Sequence, residues 1–261
     1  VAAVPVRTLQ ATVAQLREPL SLPVARPADA LAGGGIAVKL ERSLAASLDG
    51  VARYMRDYPY RCLEQRVSRA VVQGDDDAWA ALMEELPGYL DADGLARYFP
   101  TPGPGSEVLT TYLLAIAAAD GRELPEHARE RMRQGLVNFV EGRLNRESPL
   151  ATADLALRRL AAIDALSRYP DGVQPGWLES LDAQPTLWPT SALIDWIEVL
   201  TRVAEFPERD ARLDEALDIL RARIHLQGST LSFSNEDSDA LWWLMLSADV
   251  NANRALLAVM D

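Results

Sequence analysis

Tyr58-Pro59-Tyr60-Arg61-Cys62-Leu63-Glu64-Gln65 is the stretch from which the rest of the chain can be read. It holds the one cysteine of the 261 residues, with a glutamine three positions later. Side chains at i and i+3 meet on one face of a helix. Pro59 and the aromatics beside it mark the approach to an element, and Leu63, Val67, Ala70 and Val71 continue as a helical apolar stripe. The spacing predicts Cys62 at or near the first turn of a helix that runs to about Gln73. There the helix dipole and unpaired N–H groups favour a thiolate. A thiolate so placed can attack the side-chain carbonyl of Gln65, expel ammonia and close an internal thioester.

Outward from this helix the chain alternates in character. Upstream, 43–57 carries Leu44, Leu48, Val51, Tyr54 and Met55 on one face. Downstream, Gly74 reads as a C-cap and Asp75-Asp76-Asp77 as the charged start of a helix through Trp79, Leu82 and Met83 to Leu86. Pro87 to Pro104 is marked by Pro and Gly, a long connection in which one short helix is expected. Segment 107–120 is apolar almost all round, which predicts burial on all sides. Segment 125–144 is polar, with one stripe through Met132, Leu136, Phe139 and Val140. The alternation continues through 151–168, a short 174–182, apolar 188–204 and charged 208–225. Gly228 to Ser234 reads as a short turn or hairpin. Segment 238–248 is apolar again, with Trp242 and Trp243 read as core, and 250–260 is of the outer type. That makes about eleven candidate helices. No repeat of fixed period is visible; what recurs is a buried helix followed by a surface helix. Pattern alone predicts an all-α array of αα-hairpins. Residues 1–42 do not read as helix: Pro5, Pro19, Pro23 and Pro27 interrupt them, Gly33-Gly34-Gly35 follows, and Ile36 to Leu40 alternates like a strand.

Composition narrows the partners. A net charge of -12 argues against nucleic acid or an anionic membrane, which both need a basic face. No apolar run is long enough to span a bilayer. The first residues lack a charged region followed by an apolar run, so no signal peptide is expected in this stretch. No phosphate loop, dinucleotide fingerprint or nucleophile elbow appears, and no small-molecule cofactor is expected. Two histidines and one cysteine do not make a usual zinc ligand set, and no metal is expected.

Tyr-Pro-Tyr-x-Cys-Leu-Glu-Gln followed by a helix resembles the thioester motif of bacterial alpha-2-macroglobulins, broad-spectrum protease traps related to the thioester proteins of complement. Similar stretches flank it: Gly50 to Met55, Arg66 to Ala70, Asp93 to Pro100, Leu187 to Leu193 and Asp249 to Asn253. The similarity extends over roughly residues 36–261. Arg61 stands where the animal relatives carry glycine, at a position that varies among the bacterial members.

The resemblance implies several things. The fold would be the α/α toroid shared with terpenoid cyclases and prenyltransferases, with inner and outer helices alternating over 43–261. Residues 1–42 would be the trailing edge of a flanking β-rich CUB-type domain; read from the residues alone, a disordered tail stands equally open. With 238–248 as an inner helix and 250–260 as an outer one, a closed ring needs one more inner helix. The expectation is a domain that stops short, with an apolar seam beside its first and last inner helices. Cys62 would supply the sulfur of the thioester and Gln65 its acyl carbon, with Leu63 and Glu64 completing the motif. Glu64 would either make local hydrogen bonds or be a solvated surface carboxylate. Tyr58 and Tyr60 are candidates for shielding the bond from water, Tyr58 favoured; each is otherwise a packing aromatic. The partners would be target proteases, joined through lysine amines, and the other domains of a larger parent chain. The parent would be a periplasmic lipoprotein anchored in the membrane, and not an enzyme. His127, on the first turn of a charged helix, and His225, at the end of another, read as surface residues without a role. Two other readings stay open on the residues: an enzyme on the same toroid, such as a cyclase or a glycosidase with paired carboxylates, and a structural helical array with an inert Cys62.

Overall fold

A computed structural model describes Pro19, Ser21 and residues 49–150, 154–170, 172–181, 184–227, 230–234 and 241–260. Apart from those two residues, the extended segment expected over 1–42 lies outside the described residues, as does the start of the helix expected from Ser43. The rest is all-α. Among the described residues ten α-helices follow one another: α1 (Asp49–Asp57), α2 (Leu63–Gln73), α3 (Asp76–Tyr89), α4 (Glu107–Ala119), α5 (Glu126–Val140), α6 (Leu155–Ser167), α7 (Pro175–Glu179), α8 (Thr190–Arg202), α9 (Arg209–Arg223) and α10 (Ala248–Met260). Strands β1 (Ile224–Gln227) and β2 (Thr230–Phe233) pair antiparallel, Ile224 opposite Phe233, between α9 and α10. They are the hairpin expected near Gly228 to Ser234, shifted upstream so that α9 ends at Arg223 and His225 lies on β1.

The boundaries follow from caps. Gly74 takes a left-handed φ of 59° and returns its N–H to the carbonyls of Ala70 and Val71, which ends α2. One residue on, the Asp75 carboxylate accepts the Ala78 N–H at 2.9 Å and starts α3. That helix runs one turn further than expected, through Pro87 to Tyr89. Proline removes a single donor near the end, where few bonds remain to lose, and buried Tyr89 draws the last turn onto the core. The connection after it contains no helix among the described residues. It is held instead by isolated bridges from Leu90 to Ala96 and from Ala96 to Ser106.

The even-numbered helices pack in series, and α3, α5 and α9 also bury side chains in the same core. α2 packs on α4, α4 on α6, α6 on α8 and α8 on α10, while α3, α5 and α9 pack against α2, α4 with α6, and α8. This series of helix contacts departs from the expected alternation in two places. Segment 238–248 is not an inner helix: Trp242–Leu244 makes one 3-10 turn, and residues 235–240 lie outside the described residues. The Trp243 indole N–H donates to Asp154 at 2.9 Å, which pins the turn by a side chain. Trp242 is 76% exposed, so the tryptophan pair is not core. α10, expected on the outside, packs along α8. It buries Asn251 and Ala255 there and leaves Leu256, Leu257 and Val259 exposed.

Charges are buried between these helices in matched sets. Arg158 of α6 bridges Asp154 and Glu107 at the start of α4, all three buried. On α6, α8 and α10, the carboxylates of Asp164, Asp195 and Glu198 meet the guanidinium groups of Arg168, Arg202 and Arg254. Burial pushes the Asp195 carboxyl up to about 6; Arg254 pulls against this, and Asp164 and Glu198 add to it. A raised folded pKa means that the folded chain holds the proton more tightly. That stability is present below about pH 4 and is lost as pH rises through about 6. Arg254→Met should therefore cost about 3 kcal/mol at pH 8, where Asp195 is left charged without its counterion. Urea unfolding at pH 5 should show a smaller loss, because Asp195 then takes a proton.

Candidate functional site

Cys62 is the N-cap of α2, with extended backbone at φ -67° and ψ 166°. Leu63, Val67 and Ala70 are buried and fix the inner face of the helix against the core. Four N–H groups at a helix start have no partner within the helix. Here two are met reciprocally. The Gln65 backbone N–H is directed at Cys62 Sγ, and the Cys62 backbone N–H donates to Gln65 Oε1 at 3.1 Å. This is a capping box with a thiol where serine or threonine usually stands. It places a nucleophilic sulfur beside a carboxamide whose oxygen already holds a hydrogen bond. That donor lies where negative charge develops when the carbonyl is attacked.

Cys62 is only 7% exposed. Burial raises its thiol pKa first. The N–H groups of Gln65 and Glu64 pull it down, while the charge of Glu64 and the hydrogen bond with its carboxylate push it up. The net shift is upward, which corrects the expectation of a favoured thiolate: burial and the neighbouring Glu64 carboxylate together outweigh the gain from the helix start.

Glu64 is half-buried and engaged on both oxygens. Its Oε2 accepts from Cys62 Sγ at 3.8 Å, and its Oε1 accepts from the Ser68 hydroxyl at 2.9 Å. Ser68 in turn meets the hydroxyl of Tyr112, on α4, at 2.6 Å. Leu63 is fully buried and packs in the core; its contribution to the site is its backbone N–H, which donates to the Tyr98 carbonyl at 2.8 Å. Tyr58 is half-buried between the rings of Tyr54 and Tyr60, each 5.4 Å away. Its hydroxyl pKa is raised by desolvation, then by Tyr54, Glu64, Tyr60 and Cys62. Tyr60 is 62% exposed. Arg69 donates to the Tyr58 carbonyl and fixes the approach to the helix. His127, on the first turn of α5, and His225, on β1, are exposed. Among the described residues, no group of three or more His, Cys, Asp or Glu is placed to hold a metal ion.

Ser68, Tyr98 and Tyr112 belong to this neighbourhood and the sequence reading missed their contacts. Tyr98 sits on the loop between α3 and α4, which is built around Asp91. The Asp91 Oδ1 accepts the N–H groups of Asp93 and Leu95, both at 2.9 Å, and its Oδ2 accepts from Gly105 at 2.6 Å and from Arg146 at 2.8 Å. Gly94 has φ 87°, and a Cβ there would lie 2.2 Å from the Arg131 carbonyl oxygen, so the loop fits against α5 only with glycine. Burial pushes the Asp91 carboxyl up, but the Gly105 and Leu95 N–H groups and Arg146 outweigh it and hold it below the ordinary range. Asp91→Asn should cost about 2 kcal/mol at pH 7. Amide exchange at Leu63 should quicken relative to that at Val71, further along the same helix, because the Tyr98 carbonyl loses its fixed position.

No family model and no curated protein matches the chain. A solved structure does: the cryo-EM reconstruction of the native conformation of E. coli alpha-2-macroglobulin, at a TM-score of 0.51 and 16% identity. The match covers 82% of this chain and 15% of that one, so the chain spans a small part of that protein's length. At this identity the likeness is one of fold.

Proposed function

We propose that this chain carries the internal thioester of a protease trap of the alpha-2-macroglobulin kind. The observation behind the proposal is the reciprocal capping box, in which a buried thiol and a hydrogen-bonded carboxamide are held side by side at one helix start. The fold likeness to E. coli alpha-2-macroglobulin supports the same reading. In it, Sγ of Cys62 bonds to the side-chain carbon of Gln65, and ammonia leaves. When a protease springs the trap, a lysine amine on that protease adds to the Gln65 carbon. The sulfur departs, and an amide joins the two proteins. In this reading amines are the preferred nucleophiles, attacking directly, and the exposed His127 and His225 do not relay the acyl group. Tyr58 covers one side of the bond, and other domains of a larger parent chain cover the rest. In this reading the alternating helices close as an α/α toroid, and the parent works in the periplasm as a membrane-anchored lipoprotein. It reacts once, as a trap, without a cofactor.

In the full-length parent chain, methylamine should become attached at Gln65 and release one thiol at Cys62, followed by peptide mass mapping and thiol titration. Cys62→Ala should abolish both, with unchanged far-UV circular dichroism and a stability loss of about 1 kcal/mol. Labelling that survives this substitution refutes the assignment, and a preference for glycerol over amines refutes direct aminolysis.

A further inference from the structure

We infer that Glu64 is the proton carrier of the thioester, taking a proton as the bond closes and returning one to sulfur as it opens, with Ser68 and Tyr112 as its positioning residues. The inference rests on the thioester reading above. Its basis is geometric. One Glu64 oxygen faces Cys62 Sγ at 3.8 Å, while the other is held by Ser68 at 2.9 Å. The Ser68 hydroxyl has one proton to give. It has two acceptors on Glu64, the carboxylate and the backbone carbonyl, both at 2.9 Å; when its proton goes to either, the Tyr112 hydroxyl at 2.6 Å donates to Ser68. With the Ser68 proton on the carboxylate the series runs from Tyr112 to Ser68 to Glu64, and the oxygen nearest sulfur accepts from Cys62. A solvated surface carboxylate would have no such arrangement. The site also needs a base, because burial holds the Cys62 thiol above its ordinary pKa.

The proton balance closes in both directions. In closure, the Cys62 thiol gives its proton to Glu64 Oε2, and a sulfur electron pair forms the bond to the Gln65 side-chain carbon. The Cys62 backbone N–H steadies the oxygen, at 3.1 Å in the present geometry. Glu64 then passes the proton to the amide nitrogen, the carbon–nitrogen bond breaks, ammonia leaves, and the carboxylate is restored. In opening, a neutral amine adds to the same carbon and the carbon–sulfur bond breaks with its electrons going to sulfur. The amine's surplus proton passes through Glu64 to Sγ, leaving a thiol and a substituted amide. No oxidant or further reactant is needed.

The test measures bond closure, as loss of one ammonia in the intact mass, and the rate of methylamine opening in the full-length chain. Glu64→Gln keeps the shape and the Ser68 contact but cannot carry a proton; it should slow opening about 100-fold. Glu64→Asp, a carboxylate on a shorter stem, should recover part of that loss, which a purely structural role would not predict. Ser68→Ala and Tyr112→Phe should each slow opening by about 3- to 10-fold. A Glu64→Gln chain that stays folded by circular dichroism but never closes the bond, while Glu64→Asp closes it, supports the same role in closure. Opening of Glu64→Gln at the wild-type rate overturns the inference and leaves the thioester standing. If neither Glu64 variant folds, Ser68→Ala and Tyr112→Phe decide, and wild-type rates in both overturn it. Absence of methylamine at Gln65 in the unaltered chain would instead sink the thioester reading itself.

Discussion

The hydrogen bond from the Cys62 backbone N–H to the Gln65 side-chain oxygen is the constraint on which the site depends. A helix start must satisfy N–H groups that the helix itself leaves open. Many chains solve this with a hydroxyl at the N-cap and a glutamate or glutamine at the third position. Here the same local solution brings a thiol to a carboxamide. The reactive pair therefore needs no strained backbone: Cys62 is extended, and α2 begins in the usual way. What the rest of the fold must supply is a fixed direction for that helix start. Leu63, Val67 and Ala70 do this by sinking one face of α2 into the core, and Gly74 ends the helix.

Two demands on the sulfur oppose one another. The proposed thioester needs a place from which water is kept out, and Cys62 is buried. The same burial makes the free thiol reluctant to ionise, and the N–H groups at the helix start do not offset it. A helix N-terminus alone is thus an insufficient activator when it faces the protein interior. The carboxylate of Glu64 raises the thiol pKa further, yet it stands where a proton acceptor is needed. Both facts have one cause: a negative charge close to sulfur disfavours a second one and welcomes the proton instead.

The sequence made legible whatever was local and periodic. α2, its Gly74 cap, the Asp75 start of α3 and the stripe of α5 could be read because apolar spacing and cap chemistry are decided within a few residues. The failures have a common origin in long-range contacts. Pro87 looked like a helix end, but Tyr89 beyond it had a core to enter. Trp242 and Trp243 looked like an apolar helix, but an indole hydrogen bond to Asp154, far upstream in the chain, holds the backbone in another form. Segment 250–260 looked like an outer helix, and the pairing of its Arg254 with buried Asp195 of α8 could not be seen from that segment alone. At the site, Cys62 and Gln65 were visible together because they are three residues apart. Tyr112 was one more apolar-face residue of α4, and only packing of α4 on α2 brings its hydroxyl to Ser68.

That packing makes the local chemistry answerable to the array. The Tyr98 carbonyl arrives from a loop held by Asp91, and Asp91 is tied to Arg146, which lies beyond α5. The start of α4 is fixed to α6 through Glu107 and Arg158, both buried. Each link is a charged or polar contact with directional geometry, so a displacement of α4 or of the loop changes hydrogen-bond distances at once instead of being absorbed by soft apolar contacts. Two of the groups around the reactive pair, Tyr98 and Tyr112, depend on these links, whereas the Cys62–Gln65 contact depends on α2 alone. A movement of the neighbouring helices therefore changes the surroundings of the pair while leaving Cys62 and Gln65 in register. Such a division suits the thioester proposed for this site, which has to form early, persist, and react only after its surroundings have moved.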